Sequence, residues 1–202
     1  MTSPPKPSIL GIQTSRAQAF EIEGRRVMSG IAKRTVSTTE QPQRIAVRPL
    51  GLDGDEQADL TVHGGLSKAV YAYPVEHYPF WRTVRAQARV GGWDDVLPHG
   101  MMGENLTIQG LLETDAYIGD VLHFPDCTLA ISESRQPCYK FQHIMGFNQA
   151  AKLMAQSGYC GFYLAVRAPG TLAAGESFEI VPGPREVSVV EMFKVKMRRR
   201  NL

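Results

Sequence analysis

The chain has 202 residues, 43% of them hydrophobic, enough for one well-filled core. Its 22 Lys and Arg nearly balance 20 Asp and Glu, leaving a net charge of +2 and no global bias toward nucleic acid. Three cysteines without a close pair argue against a secreted disulfide scaffold, and no apolar run approaches the roughly 20 residues that cross a bilayer. The opening stretch is too polar and proline-rich for a signal-peptide core, so a reduced, cytoplasmic protein is expected.

Nineteen Gly and 13 Pro, spread along the length, favour many short strands over long helices. After a disordered leader at 1–7, Ser8–Ser15 reads as a first strand, followed by strands at Arg44–Val47 and Ala69–Tyr73. Val75–Val90 has helical composition, and Pro79 must start or kink that helix. Gly91-Gly92 and Pro98–Gly100 border an exposed excursion. Within Asp120–Ser132, the runs VLHF and CTLAIS joined by Pro125-Asp126 predict a hairpin, with Arg135–Cys138 just past its second strand. Asn148 caps a helix over Gln149–Gln156, which Gly158 stops. Further strands are expected at Phe162–Val166, Ser177–Val181 and Glu186–Phe193. Lys194, Lys196, Arg198, Arg199 and Arg200 then form a basic tail over 194–202, read as solvated and frayed, with anion binding a weaker second. The expected fold is one mostly β domain with peripheral helices (α+β), over 8–193.

Chemistry concentrates at Cys138, in Ser134-Arg135-Gln136-Pro137-Cys138-Tyr139-Lys140. Cations on both sides push a thiol toward thiolate, the form that attacks electrophiles or binds soft metals. The other reading is a small buried hydrophobe, which also suits Cys127 and Cys160. In Gly51–Lys68, His63-Gly64-Gly65 followed by Lys68 can cradle an anion with backbone N–H groups and a countercharge, or simply mark a turn. Asp53, Asp55 and Asp59 lack an EF-hand's closing acidic ligand, so they are expected to hold loop backbone or pair with Lys and Arg. In Gly103-Glu104-Asn105, the amide can meet a ligand and the carboxylate can accept from an N–H-rich heterocycle; an ordinary loop-to-strand junction is the alternative. No zinc spacing, GxSxG, GxGxxG or GxxxxGK[ST] occurs.

Four ordered segments carry a wider similarity: GLDGDEQADLTVHGGLSKAVYAYPVEHYPFW, MGENLTIQGL, IGDVL and SRQPCYK. Together they resemble the MOSC domain family, within it the YiiM-like branch, from about Ser29 to Phe193. The resemblance implies a MOSC-type β-barrel that binds the molybdenum cofactor, molybdopterin carrying its metal. It implies Cys138 as the metal ligand and catalytic centre, with His63, Gly64, Gly65, Lys68, Gly103, Glu104, Asn105, Arg135 and Gln136 around the cofactor. A thiolate suits a metal already held by two dithiolene sulfurs.

The implied activity is reduction of N-hydroxylated compounds (hydroxylaminopurine-type bases, amidoximes) with electrons from a separate flavin or iron–sulfur reductase. Alternatives are a non-catalytic carrier or store of the cofactor, and a persulfide carrier through Cys138. No nucleic acid polymer and no membrane partner are expected, and a homodimer is left open. YiiM-like proteins often continue into a small helical domain after the barrel. Here the chain stops soon after Phe193, which bears on docking of an electron donor or on dimerisation and not on the cofactor site.

Overall fold

Short apolar runs between turn residues fold as short strands. Among the residues that a computed structural model describes, 6–58 and 64–200, the chain forms thirteen strands and four α-helices. In chain order these are β1 (Ser8–Thr14), β2 (Gln18–Ile22), β3 (Arg25–Ser29), β4 (Arg34–Thr38), β5 (Ile45–Arg48), β6 (Gly51–Leu52), β7 (Val70–Pro74) and α1 (Tyr78–Gln87). Then come β8 (Leu106–Gln109), β9 (Val121–His123), β10 (Thr128–Ser134), α2 (Tyr139–Met145), α3 (Ala150–Ser157), β11 (Phe162–Ala168), β12 (Gly170–Leu172), β13 (Glu179–Val181) and α4 (Val189–Arg200).

Eight strands share one sheet, in the order β13-β9-β10-β11-β7-β8-β1-β4. Its pairs are antiparallel except β7–β8. The sheet curls: Ile9 N–H donates to Glu176 O (2.9 Å) and Phe178 N–H to Pro7 O (3.0 Å), so β1 also meets the segment entering β13. The strand order is that of a curled sheet, and an isolated antiparallel bridge pairs Ser8 of β1 with Ser177, just before β13. Every residue of β7 is buried, as suits a central strand covered on both faces. Trp81, Tyr73, Phe141, Phe162, Phe178 and Phe193 fill the core around it.

The hairpin read at 120–132 is present, with Thr128 opposite His123, and it delivers Arg135–Cys138 just beyond β10. Pro79 sits in the first turn of α1, where its missing N–H costs nothing. The helix expected after Asn148 begins one residue later, capped by Gln149, and ends at Gly158 with φ 75°. Trp93 and Val96 are exposed on the excursion after α1.

The strand expected at Glu186–Phe193 is instead the start of α4. Ser188 N–H donates to Glu191 Oε2 (2.8 Å) and Glu191 N–H to Ser188 Oγ (3.2 Å), a reciprocal cap that commits the segment to helix. Val189 and Phe193, four apart, then bury one face. The basic residues expected in a frayed tail lie along this helix, and Lys196 Nζ reaches Glu133 Oε2 at 2.6 Å. The β2–β3 hairpin left no mark on the sequence reading; its turn places Glu23 and Gly24 at φ 53° and 71°, the left-handed pair of a tight hairpin. No helix among the described residues is long and apolar enough to cross a membrane.

Close backbone approach behind the site rests on Gly161, where φ is +62° and an added Cβ would lie 2.4 Å from Ala72 O. Gly161→Ala is therefore expected to cost about 3 kcal/mol, combining left-handed strain with overpacking. A shift in denaturant midpoint at unchanged slope checks it.

Candidate functional site

The end of β10 and the start of α2 fix the central side chains. Cys138 caps α2 in an extended conformation (φ −139°, ψ 164°), and its carbonyl accepts from Phe141 N–H at 3.1 Å. Phe141 is wholly buried against Trp81, which anchors the helix and hence the thiol. Arg135 is only 4% exposed. Its guanidinium lies 4.8 Å from the centre of the Tyr71 ring and 5.1 Å from that of Phe141, and Nη1 donates to the Tyr71 hydroxyl at 3.4 Å. Burial works against this charge, yet Tyr71, Cys138 and Tyr163 together hold the Arg135 pKa above its ordinary value. Burial also raises the phenols of Tyr71 and Tyr163, so both are neutral donors at physiological pH. Among the described residues no carboxylate oxygen lies within 4.0 Å of Arg135.

Cys138 and Arg135 face a recess with a cavity volume of about 90 Å³ that opens to solvent. Lys33, Lys68 and Lys140 bring three more cations to its walls. Lys68 ends a 3-10 turn over Leu66–Lys68; its Nζ lies 3.8 Å from Glu133 Oε2 and 6.0 Å from the centre of the Tyr163 ring. Lys140 Nζ donates to Met28 O at 3.1 Å, tying α2 to the β2–β3 hairpin. Opposite, Gly103 and Asn105 form wall. The Asn105 side chain is committed to the protein: Oδ1 accepts from Tyr71 N–H (3.0 Å), and Nδ2 donates to Gln13 O (3.2 Å) and Asp55 Oδ2 (2.9 Å).

The structure thus brings Cys138, Arg135, Lys68, Gly103 and Asn105 to one recess, and it places the other expected residues differently. Glu104 is wholly buried and accepts from Gly100 N–H, Met102 N–H, the Thr107 hydroxyl and the Tyr78 hydroxyl, so its carboxylate holds its own loop. Gly64 and Gly65 are not among the described residues that line the recess, and Gly65 N–H is taken by Gln57 Oε1 at 2.8 Å. The diglycine shapes the turn that presents Lys68. Gln136 is half-buried and likewise off the lining. His63 and Asp59 lie outside the described residues. Asp53 pairs with Arg48, and Asp55 accepts from Ser15 N–H and Lys33, the structural roles expected of them.

Sequence reasoning missed Lys33, Asp55 and Tyr71 as recess residues. Lys140 stood in the quoted cysteine segment, but the first three come from separate strands and loops and share no local pattern.

A profile of the MOSC domain matches residues 59–179. The chain belongs to the MOSC domain family. Over 181 residues it is 36% identical to Protein YiiM of Escherichia coli, covering 89% of this chain and 75% of that one. Over 183 residues it is 34% identical to YflK of Bacillus subtilis, described as uncharacterized, covering 90% and 77%. A protein of Gibberella moniliformis named Reductase is 30% identical over 75% of this chain, which spans only 26% of that protein. The crystal structure of YiiM from Geobacillus stearothermophilus superposes with a TM-score of 0.72 at 26% identity, covering 97% of this chain and 86% of that one. YiiM from Escherichia coli gives 0.67 at 26%, covering 95% and 77%. The fold of this MOSC protein is therefore YiiM-like: mixed α+β, mostly strands, with few helices.

Proposed function

We propose that this MOSC protein binds the molybdenum cofactor in the recess and reduces N-hydroxylated compounds there. One observation carries the reading: the Cys138 thiol shares its recess with a buried Arg135 guanidinium that no described carboxylate neutralises. A buried cation without a carboxylate partner suits an anionic ligand, and a sulfur ligand beside it suits a soft metal. The donor set therefore fits a metal dithiolene that also carries a phosphate. Cys138 would hold the metal, while Arg135, Lys68 and Lys140 would hold the anionic and hydrogen-bonding parts. When bound, the cofactor supplies the two-electron chemistry.

The protein's own residues bind, orient and shield. Tyr71 gives its hydroxyl proton to Cys160 O (2.8 Å) and accepts from Arg135, so it orients the guanidinium, while Tyr163 is a neutral phenol on the wall and Ser29 and Gly30, at the end of the β2–β3 hairpin, line the recess. In this reading the curled sheet serves as the family's barrel, with the recess at its mouth. Hydroxylaminopurine-type bases and amidoximes are the substrate class, and a separate flavin or iron–sulfur reductase supplies electrons in a reduced, cytoplasmic setting. The Gibberella relative named Reductase supports redox work for the class.

The test is turnover by cofactor-loaded protein with a chemical reductant and an amidoxime or hydroxylaminopurine. Formation of the deoxygenated amine supports the reading. Transfer of the pterin to an apo-enzyme without turnover would make the protein a carrier, and a labile extra sulfur on Cys138 by mass spectrometry would make it a sulfur carrier.

A further inference from the structure

Lys33 enters the recess from the segment between β3 and β4, and its side chain is 7% exposed. Its ammonium rests on Asp55, itself 6% exposed and also on the wall. Asp55 is filled by the protein: besides Lys33, Oδ1 accepts from Ser15 N–H (2.8 Å) and Oδ2 from Asn105 Nδ2 (2.9 Å). Lys33 is not filled. An ammonium has three N–H donors, and among the described residues Asp55 is the acceptor recorded for this one. A lysine with a purely structural post would direct its donors to the loop, as Lys140 directs one to Met28 O. Two undirected donors on a buried ammonium beside a ligand cavity call for an acceptor from whatever fills that cavity.

Resting on the reduction proposed above, we infer that Lys33 is a catalytic residue, the proton donor to the departing oxygen of the N-hydroxylated substrate, and that Asp55 positions it. Reduction of an N-hydroxyl group consumes two electrons and two protons. The N–O bond breaks, the oxygen leaves as water, and the nitrogen gains one hydrogen to become the amine. The electrons come from the reductant. One proton passes from Lys33 Nζ to the oxygen, leaving a neutral lysine amine that solvent reprotonates through the open mouth; the other reaches the substrate nitrogen from solvent.

The electrostatics agree with this geometry. Burial lowers the Lys33 pKa from its ordinary value, Asp55 and Glu104 raise it in part, and Arg135 lowers it further. An ammonium so weakened releases its proton more readily near neutral pH. Because the charged form donates, the rate falls as pH rises through the Lys33 pKa. Asp55→Asn removes the chief group raising that pKa, so the alkaline limb should move to lower pH.

The experiment compares full-length wild type, Lys33→Gln, Asp55→Asn and the double variant, each loaded with cofactor. Molybdenum and pterin content, thermal stability and kcat against pH are read with a chemical reductant and an amidoxime. Lys33→Gln is expected to keep its cofactor and lose kcat by about 100-fold, the scale of a lost general acid, with KM little changed and the alkaline limb abolished. If Lys33→Gln folds poorly because Asp55 is stranded, the double variant, which replaces an ion pair with two amides, carries the same expectation. Unchanged kcat and pH profile in either folded variant would overturn the inference while wild-type turnover upholds the function. Parallel loss of cofactor and activity would also overturn it, making Lys33 a holding group. A wild type that holds cofactor and turns over nothing removes the function, and the proton role with it.

Discussion

Cys138→Ser is expected to strip molybdenum from the protein while leaving it folded. Serine is nearly isosteric, and Cys138 stands at the cap of α2 without a side-chain cap bond, a place where a hydroxyl is favoured. Stability should therefore hold or rise slightly. The chemistry differs: a thiol can bind a soft metal as its thiolate, whereas an alcohol is a hard ligand and keeps its proton. Turnover should drop by at least about 100-fold, more than loss of an outer-sphere partner costs. The pterin separates two explanations, because the cations proposed to hold it are untouched. Metal lost while pterin is partly retained locates the defect at the sulfur. Equal molybdenum in wild type and variant would remove the thiolate from the role proposed for it.

What the sequence made legible has a physical boundary. The β9–β10 hairpin, the start of α1 at Pro79 and the stop of α3 at Gly158 are set by contiguous residues with restricted backbone preferences, so local reading found them. The segment after Glu186 misled because three of the four residues at 187–190 are valine, whereas the decision lay with the Ser188–Glu191 cap and the four-residue spacing of Val189 and Phe193. The β2–β3 hairpin is mostly exposed, and its apolar residues sit side by side at Ala19-Phe20 and Val27-Met28 rather than in the sustained alternation that marks a half-buried strand. At the site, the cysteine segment was visible as a cluster of cations around a thiol. The Lys33–Asp55 pair was not, because a pair 22 positions apart is joined by the fold alone. Glu104 shows the converse failure: a carboxylate in a ligand-like motif was visible, but nothing local said which way it faced.

That orientation makes Glu104→Ala strongly destabilising. The carboxylate is wholly buried and gathers four donors, two of them backbone N–H groups from the Gly100–Met102 turn and two hydroxyls, from Tyr78 and Thr107. Burial and the adjacent carboxylate both push the Tyr78 phenol pKa up, so that hydroxyl stays protonated and donating at any pH the protein survives. Alanine leaves all four donors facing a dry cavity, at a cost of about 4 kcal/mol once the loop has relaxed. Much of an ordinary domain's 5–15 kcal/mol margin would go with it. Glu104→Gln keeps one acceptor oxygen but turns an NH2 toward donors, so roughly 2 kcal/mol is expected. Denaturant midpoints at constant slope measure both, and cofactor content per folded molecule should stay near that of wild type. A Glu104→Ala protein of wild-type stability that had lost its pterin would reverse the assignment, since it would mean the carboxylate had been serving the ligand instead of the loop.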